Sequence, residues 1–500
     1  MREVPVRETV SLLRQTVTEH PDVDAFVESD GKRISYSEWD AAADGVAAGL
    51  ADRGVHAGDV VCLLLPSSIR YMVAYQASMR LGAVTTGINM RLGVMEISAI
   101  LHSARPRAVI VDDSGAGVPT GAVVPDGTAV VPWSALQEWW SSAPPVLPLL
   151  RPNDICVLCW TGGTTGRPKG VMFDHDNLRA VAAAAGVLSG PLDRRLSPLS
   201  FAHVGTMTRA WDEISRAMTT VLTPPHWSAG EALRLIEAER ITVAQGVPTQ
   251  WELMLRHPDF PATDMSSLRL AATGGSRVPV DLIRRIRGAL GVPFVNRYAS
   301  TEAAIITGTI PGDPEEVIVE TVGRPAHSVQ LRISGDDGVD APIGAVGRVQ
   351  VRSPAVMRGY WKDPEATGAA IDASGWLTVG DLGRLDAAGN LSLVGRIGEM
   401  FTRGGYNIYP IEVEQVLAAH PAVRQVSVVA RPDSVLGEAS VAFVVLDAPA
   451  EAEELRTWVG GRLADYKTPD EVVSLDALPV TSVGKVDRRE LADRASYLMR

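Results

Sequence analysis

Lys169 closes a run of glycines and hydroxyls, Cys159-Trp-Thr-Gly-Gly-Thr-Thr-Gly-Arg-Pro-Lys-Gly-Val171. Gly162, Gly163, Gly166 and Gly170 let the backbone approach a ligand closely and adopt positive φ. Thr161, Thr164 and Thr165 add hydroxyl donors to bare N–H groups, and Lys169 adds charge. That is the inventory of a phosphate cradle. It is not a G-x-x-x-x-G-K-[ST] loop, because Arg167 and Pro168 separate Gly166 from Lys169 and no Ser or Thr follows. Gly/Thr-rich segments also occur as plain surface loops, so the reading depends on what else the chain carries.

Further reactive groups follow in order. Ser197-Pro-Leu-Ser-Phe-Ala-His203-Val-Gly205 ends an apolar segment on a histidine. Gln245-Gly-Val-Pro-Thr-Gln250 and Leu270-Ala-Ala-Thr-Gly-Gly-Ser276 each read as a strand ending in a small-residue turn, the place where ligands bind in open α/β sheets. Asn296-Arg-Tyr-Ala-Ser-Thr-Glu302 sets an aromatic, a hydroxyl and a carboxylate close together, and Mg²⁺ prefers one or two carboxylates plus phosphate oxygens. Asp381 follows a glycine turn, Arg396 ends a strand, and Lys485 lies in Pro479-Val-Thr-Ser-Val-Gly-Lys485-Val-Asp-Arg488. His175, at a helix start, reads as a cap or packed polar group rather than a base.

In this order the motifs resemble those of the adenylate-forming superfamily, which includes acyl- and aryl-CoA ligases, firefly luciferase and peptide-synthetase adenylation domains. The signature loop there is [YF]-T-S-G-[TS]-T-G-x-P-K-G; this chain has Trp160 for the aromatic and Gly162 for the serine. The resemblance spans about residues 10–495 and implies roles for individual side chains. Thr161 to Gly166 and Lys169 would hold the β/γ-phosphates of ATP. Gly274, Gly275 and Ser276 would back the adenine and acyl pocket, Asn296 would be among the cofactor-binding residues, and Tyr298 would stack on adenine. Thr301 would donate to a phosphate and Glu302 would hold Mg²⁺. Asp381 would grip the ribose hydroxyls, Arg396 would reach the same sugar, and Lys485 would be the catalytic lysine. His203 would gate the acid pocket, lined with Val204, Gly205, Met207, Val247, Thr273 and Gly274. The stretch Phe401–Glu414, with Arg403, Gly404 and Gly405, resembles the loop that forms the pantetheine tunnel for CoA.

Three departures stand out. Ala299 replaces the glycine of Y-G-x-T-E. Phe201-Ala202-His203 lacks the aspartate that pairs with an α-amino group, which argues against an α-amino acid substrate. By family alignment the domain hinge falls at Gly398, where relatives carry Asp or Lys. Glycine forms no ion pairs and widens the accessible backbone space. The free enzyme is therefore expected to populate two orientations of the small domain, with ligands choosing between them.

These groups must be positioned by a sizeable scaffold. Five hundred residues suffice for two or three domains. The pattern alternates helix and strand from Val6 to about Asp113. A helix over 37–53 is expected to be capped by Ser37 with Asp40 at the reciprocal position, and to end at Gly54. A buried strand follows from Val60 to Leu65, then helices near 68–80 and 94–104 with strands near 83–86 and 107–111. Residues 114–153 look like a loose connection. Ile155 to Cys159 reads as the strand feeding the loop, and 177–187 as a helix. Beyond the hinge, helices over 411–419 and 452–464 with strands over 424–430 and 440–446 make a small α+β unit. The expected fold is α/β: a large domain of layered open sheets with helices (1–396) and a small mobile α+β domain (397–500).

Net charge is −12, which argues against nucleic-acid or anionic-membrane binding. The N-terminus lacks a signal-peptide pattern and no apolar run reaches membrane-spanning length, so a cytoplasmic protein without integral membrane association is expected. Cys62, Cys156 and Cys159 cannot build a disulfide framework, and Cys156-Val-Leu-Cys159 has no second cluster at zinc-site spacing; buried packing is expected. The reaction implied by the resemblance takes a small carboxylic acid, ATP, Mg²⁺ and CoA. A stand-alone enzyme loading a carrier protein and a catalytically dead scaffold are the alternatives; the latter conflicts with intact Glu302 and Lys485. The acid's identity, and whether the chain is a monomer or a dimer, are open at this level.

Overall fold

The computed structural model describes residues 8–498 apart from 114–116, 162–167, 275–277, 279, 336, 404–405, 434–435 and 482–484. Among the described residues, short β-branched runs build two open sheets. One has six strands in the order Ala129–Pro132, Ala108–Val111, Val60–Leu64, Val84–Gly87, Ile155–Thr161 and Lys169–Asp174, parallel until the last pair. The other has nine strands, with a parallel centre running through Phe294–Ser300, Leu270–Gly274, Val243–Gly246, Arg194–Ser197, Thr219–Leu222 and Asp24–Val27. Antiparallel strands Ala304–Gly308 and Arg33–Ser35 flank that centre.

Val60–Leu64 and Ala108–Val111, inside the six-stranded sheet, are apolar and buried at every residue because both faces are covered. A single core joins Phe26 of one sheet to Val61 and Leu63 of the other through Trp39 and Val46 of the helix Tyr36–Asp52 and Met72 of the helix Ile69–Arg80. Separate cores cover the outer faces: Leu233, Trp251 and Ile283 on the nine-stranded sheet, Ile97 and Leu101 on the six-stranded one. Arg80 is wholly buried and forms ion pairs with Asp40 and Asp44, which face it from the neighbouring helix.

A four-stranded antiparallel sheet, Gln330–Ser334, Gly347–Arg352, Leu377–Leu385 and Leu391–Arg396, follows. The next strands, Phe401–Arg403 and Tyr406–Ile408, belong to a separate small sheet with Val423–Asp433, Gly437–Leu446 and Glu471–Ser474. Its two faces have their own cores, Val413, Leu417 and Leu455 on one and Phe443, Leu478 and Leu491 on the other. The fold is thus the expected α/β one, a large part of layered open sheets with helices and a small α+β part.

Two local expectations are corrected. The first long helix is capped by Ser35, whose hydroxyl accepts from the Glu38 N–H at 3.2 Å while Glu38 accepts from the Ser35 N–H at 2.8 Å. Ser37 lies inside the helix; the true box is two residues upstream because Tyr36 is already helical and packs in the core. The 114–153 connection carries an edge strand, Ala129–Pro132, and a helix, Trp133–Gln137. Trp139 then closes against the long helix, where a Cβ on Gly45 would overlap its backbone. Among the described residues no helix is long and apolar enough to cross a membrane.

Candidate active site

The strands Ile155–Thr161 and Lys169–Asp174 pair antiparallel with Thr161 opposite Lys169. Gly162, Gly163, Thr164, Thr165 and Gly166 lie outside the described residues. Trp160, the unusual aromatic, donates its indole N–H to Thr86 Oγ1 at 2.7 Å. It covers Gly170 so closely that a Cβ there would meet the indole ring at 3.0 Å. The glycine at 170 therefore makes room for the tryptophan at 160.

At the base of the hairpin, Lys169 Nζ lies 5.1 Å from the centre of the Tyr360 ring, within cation–π range. Tyr360 in turn donates its hydroxyl to Glu302 Oε1 at 3.1 Å. Burial and the Glu302 charge both push the Tyr360 phenol well up, so it stays a donor. Met357 N–H donates to the Glu302 carbonyl at 2.8 Å, which ties the turn after Phe294–Ser300 to the segment bearing Tyr360. The sequence reading missed Tyr360. A signal existed in Arg358-Gly-Tyr360, because Gly359 has φ +130° and a Cβ on it would press on Thr367. Thr301 stands in the same turn as Glu302. Ala299 has no positive φ, so the glycine usual at this position is not required by the backbone here.

A second cluster forms where the strand Phe294–Ser300 faces the four-stranded sheet. Tyr298 donates its hydroxyl to Asp381 Oδ2, and Arg396 Nε donates to Asp381 Oδ1 at 3.0 Å. Asp381 and Arg396 are register partners across adjacent strands, so a cross-strand pair orients the carboxylate. Burial first, then Asp381, raises the Tyr298 phenol well above its ordinary value. Asn296 is buried, and its Nδ2 donates to the Thr321 carbonyl at 3.4 Å.

Lys485 approaches this cluster from the small sheet. Its turn is held by a bridge between Val480 and Val486 and by the Thr481 N–H donating to the Lys485 carbonyl at 2.7 Å. Its side chain is open to solvent, yet surrounding protein and the Arg396 charge lower its pKa, with Asp381 opposing them. The same ammonium acts on His203, whose pKa falls to about 4 from loss of water and from Lys485. His203 and Lys485 thus share a cleft: solvent reaches both, but protein crowds both. The His203 Nδ1 accepts from the Gly205 N–H at 3.0 Å, leaving Nε2 to carry the proton of the neutral ring.

The pocket residues fall on two supports. Val204, Gly205 and Met207 lie on the short helix Val204–Met207, with Met207 held by Tyr75 Oη donating to its carbonyl at 2.6 Å. Val247, Thr273 and Gly274 lie at the ends of the neighbouring parallel strands Val243–Gly246 and Leu270–Gly274. Gly275 and Ser276 lie outside the described residues, as do Gly404 and Gly405. Arg403 is not at the cluster: its guanidinium donates to both Asp470 oxygens, at 2.9 and 2.5 Å, and to the Tyr466 carbonyl at 3.4 Å, all within the small sheet's unit. Asp470 was not legible as its partner, since the two are sixty-seven positions apart. His175 is buried with Nδ1 3.1 Å from Thr9 Oγ1, a packed role in keeping with its position. The three cysteines are buried and unpaired.

Comparison with known proteins places this geometry. Residues 13–361 match the AMP-binding enzyme model and residues 412–485 the AMP-binding enzyme C-terminal domain. The chain is 35% identical over 486 residues to an indoleacetate–CoA ligase of Aromatoleum aromaticum, covering 93% of this chain and 94% of the relative. It is 32% identical over 502 residues to a long-chain-fatty-acid–CoA ligase of Mycobacterium tuberculosis, covering 97% and 98%. Among solved structures, ATP-bound MatB from Rhodopseudomonas palustris superposes with a TM-score of 0.90 at 26% identity, covering 98% of this chain and all of that one. A crowded lysine facing an Asp–Arg pair, Lys169 over a tyrosine bound to Glu302, and two matched domain models have one reading: the chain belongs to the AMP-binding enzyme family, in the adenylate-forming superfamily.

Proposed function

We propose that the two clusters form one active site for a two-step ligation. The chain is an ATP-dependent acid–CoA ligase of the AMP-forming type. In the first step a carboxylate oxygen attacks the α-phosphorus of ATP; an acyl-adenylate forms and pyrophosphate leaves. In the second, the CoA thiol attacks the acyl carbonyl, loses its proton and expels AMP. In-line displacement at phosphorus asks mainly for positioning and charge stabilisation. Lys485 would meet the charge that develops between the α-phosphate and the attacking carboxylate. Asp381 would hold the ribose hydroxyls with Arg396 beside it, Tyr298 would stack on adenine, and Thr301 would donate to a phosphate. The approach of Lys485 to the Asp381–Arg396 pair, from a part of the chain over eighty residues away, carries this reading.

Mg²⁺ fits the donor set at Glu302. One carboxylate suffices beside phosphate oxygens, and Tyr360 leaves Oε2 free of its hydrogen bond. When bound, the ion would neutralise phosphate charge. Tyr360→Phe should keep the ring beneath Lys169 but release Glu302. A ligand-orienting hydrogen bond is typically worth about 10–100-fold in metal affinity or activity, so the Mg²⁺ concentration at half-maximal pyrophosphate release should rise by about that factor. Glu302→Gln should weaken Mg²⁺-dependent adenylation further, with little change in melting temperature. Unchanged metal dependence in both variants would move the ion elsewhere.

We propose the domain boundary at 396/397; the strand Leu391–Arg396, the last of the four-stranded sheet, ends there. Rotation about Gly398 would withdraw Lys485 and bring the 403–409 loop to the site for the CoA step. The acceptor is CoA; a carrier protein's phosphopantetheine arm is the alternative, and competition between excess purified carrier and CoA separates them. The enzyme is proposed to work in the cytoplasm, as a monomer or dimer. Pyrophosphate release over aryl, short and medium acids, with and without CoA, tests the whole reading: release with no acid of any class would overturn it, as would release without thioester when CoA is present.

A further inference from the structure

We infer that Arg297 makes the acid pocket a receptor for acids bearing a second carboxylate. The inference rests on the ligase reading above and names its substrate class. Arg297 lies between Asn296 and Tyr298 on the strand Phe294–Ser300, so strand alternation sends it to the face opposite Tyr298 and Asp381. Its register partners on the two sides are both glycines, Gly274 and Gly308. A Cβ on Gly274 would stand 2.7 Å from the Arg297 carbonyl, and a Cβ on Gly308 would overlap the guanidinium itself. The side chain therefore lies in a seat that only glycine at 308 leaves open.

Among the described residues no carboxylate pairs with the Arg297 guanidinium. Arg297 Nε is buried without a hydrogen-bond acceptor. The carboxylates of the neighbouring helix are already engaged: Asp212 accepts from Arg209 and from Ser189, and Glu213 forms an ion pair with Arg195. Crowding by protein and the like charge of Arg209 pull the Arg297 pKa down to about 10, which leaves it cationic at neutral pH. Gln245 Nε2, which the registers put on the same face two strands away, is also a buried donor without an acceptor. Two orphan donors, one of them charged, are costly to keep buried. They ask for an acceptor-rich anion, and a guanidinium meets a carboxylate with two parallel hydrogen bonds.

The place is the acid pocket. Gly274, at one wall, abuts the Arg297 backbone, and Arg209, whose charge reaches Arg297, is two residues beyond Met207 on the other wall. An acid with its reacting carboxylate toward Lys485 would present its far end to this guanidinium. A neutral tail would leave the charge unanswered.

The test compares chain-length-matched monocarboxylic and dicarboxylic acids with the full chain, ATP, Mg²⁺ and CoA, reading pyrophosphate release and thioester. Sites built around a polar group discriminate strongly against ligands lacking its partner, so kcat/KM should favour the diacid by at least about tenfold. Arg297→Met should invert that preference, chiefly through a higher KM for the diacid, and Arg297→Lys should fall between, keeping charge but losing the fork. If the methionine variant does not fold, protection of the wild-type chain against thermal unfolding by the diacid and not by the monoacid carries the same information. Equal or better use of the monoacids by the wild type, with no change of ratio in the lysine variant, overturns the inference and leaves the ligase reading intact. Failure with every acid in both sets would instead sink the ligase reading itself.

Discussion

Lys485→Ala lowers the rate of acyl-adenylate formation by on the order of 10²–10³-fold, the usual loss when one preorganised charge-stabilising donor is removed, and spares thioester formation from supplied acyl-adenylate. The physical basis is the asymmetry of the two steps. Lys485 stands against Arg396 and Asp381 in this structure, where charge would accumulate on the α-phosphate. The thiol step needs no cation there. The same surroundings predict a pH signature. Crowding and Arg396 depress the lysine's pKa, so adenylate formation should fall, as pH rises, at a lower pH than free lysine would titrate; the alanine variant should lack that limb. His203, neutral above about pH 4, adds no limb at neutral pH. Pyrophosphate exchange and thioester formation, measured separately across pH, check this. An equal loss in both half-reactions would remove the division of labour between orientations.

Gly398→Pro abolishes adenylate formation more completely than it affects any other step. Gly398 has φ +91° in the orientation that brings Lys485 to Asp381 and Arg396. Proline is locked near −65°, so the variant cannot adopt this orientation, and an equilibrium driven that far should reduce adenylation by well over about 100-fold. Thioester formation from supplied acyl-adenylate should persist. Gly398→Ala gives a graded control: nothing lies within 4 Å of an added Cβ, so only backbone strain opposes it. A non-glycine residue in the left-handed region costs about 1–2 kcal/mol, which is about a 5–30-fold shift in population. A charged residue there would have to offset that strain with an ion pair. Survival of adenylation in the proline variant would place the hinge at another residue.

Local chemistry was legible and long-range assembly was not. The Ile155–Cys159 strand, the helices near 68–80 and 94–104 and the α+β order of the last hundred residues follow from periodicity and turn residues, which act within one or two turns of chain. The family motifs made Glu302, Asp381, Arg396 and Lys485 readable as separate candidates. What met what was decided only by packing. Tyr360 reaching Glu302 spans fifty-eight positions, and Tyr298 reaching Asp381 spans eighty-three; neither separation leaves a trace in local spacing. The cap at Ser35 rather than Ser37 was settled by the burial of Tyr36, and the strand at 129–132 by a sheet edge that needed a partner. Arg297 is the sharpest case. The letters Asn-Arg-Tyr state a cation, but only register against Gly308, and the engagement of Asp212 and Glu213 elsewhere, leave that cation without an anion among the described residues. A charge's partner is a property of three-dimensional neighbours, and a sequence specifies those only through the whole fold.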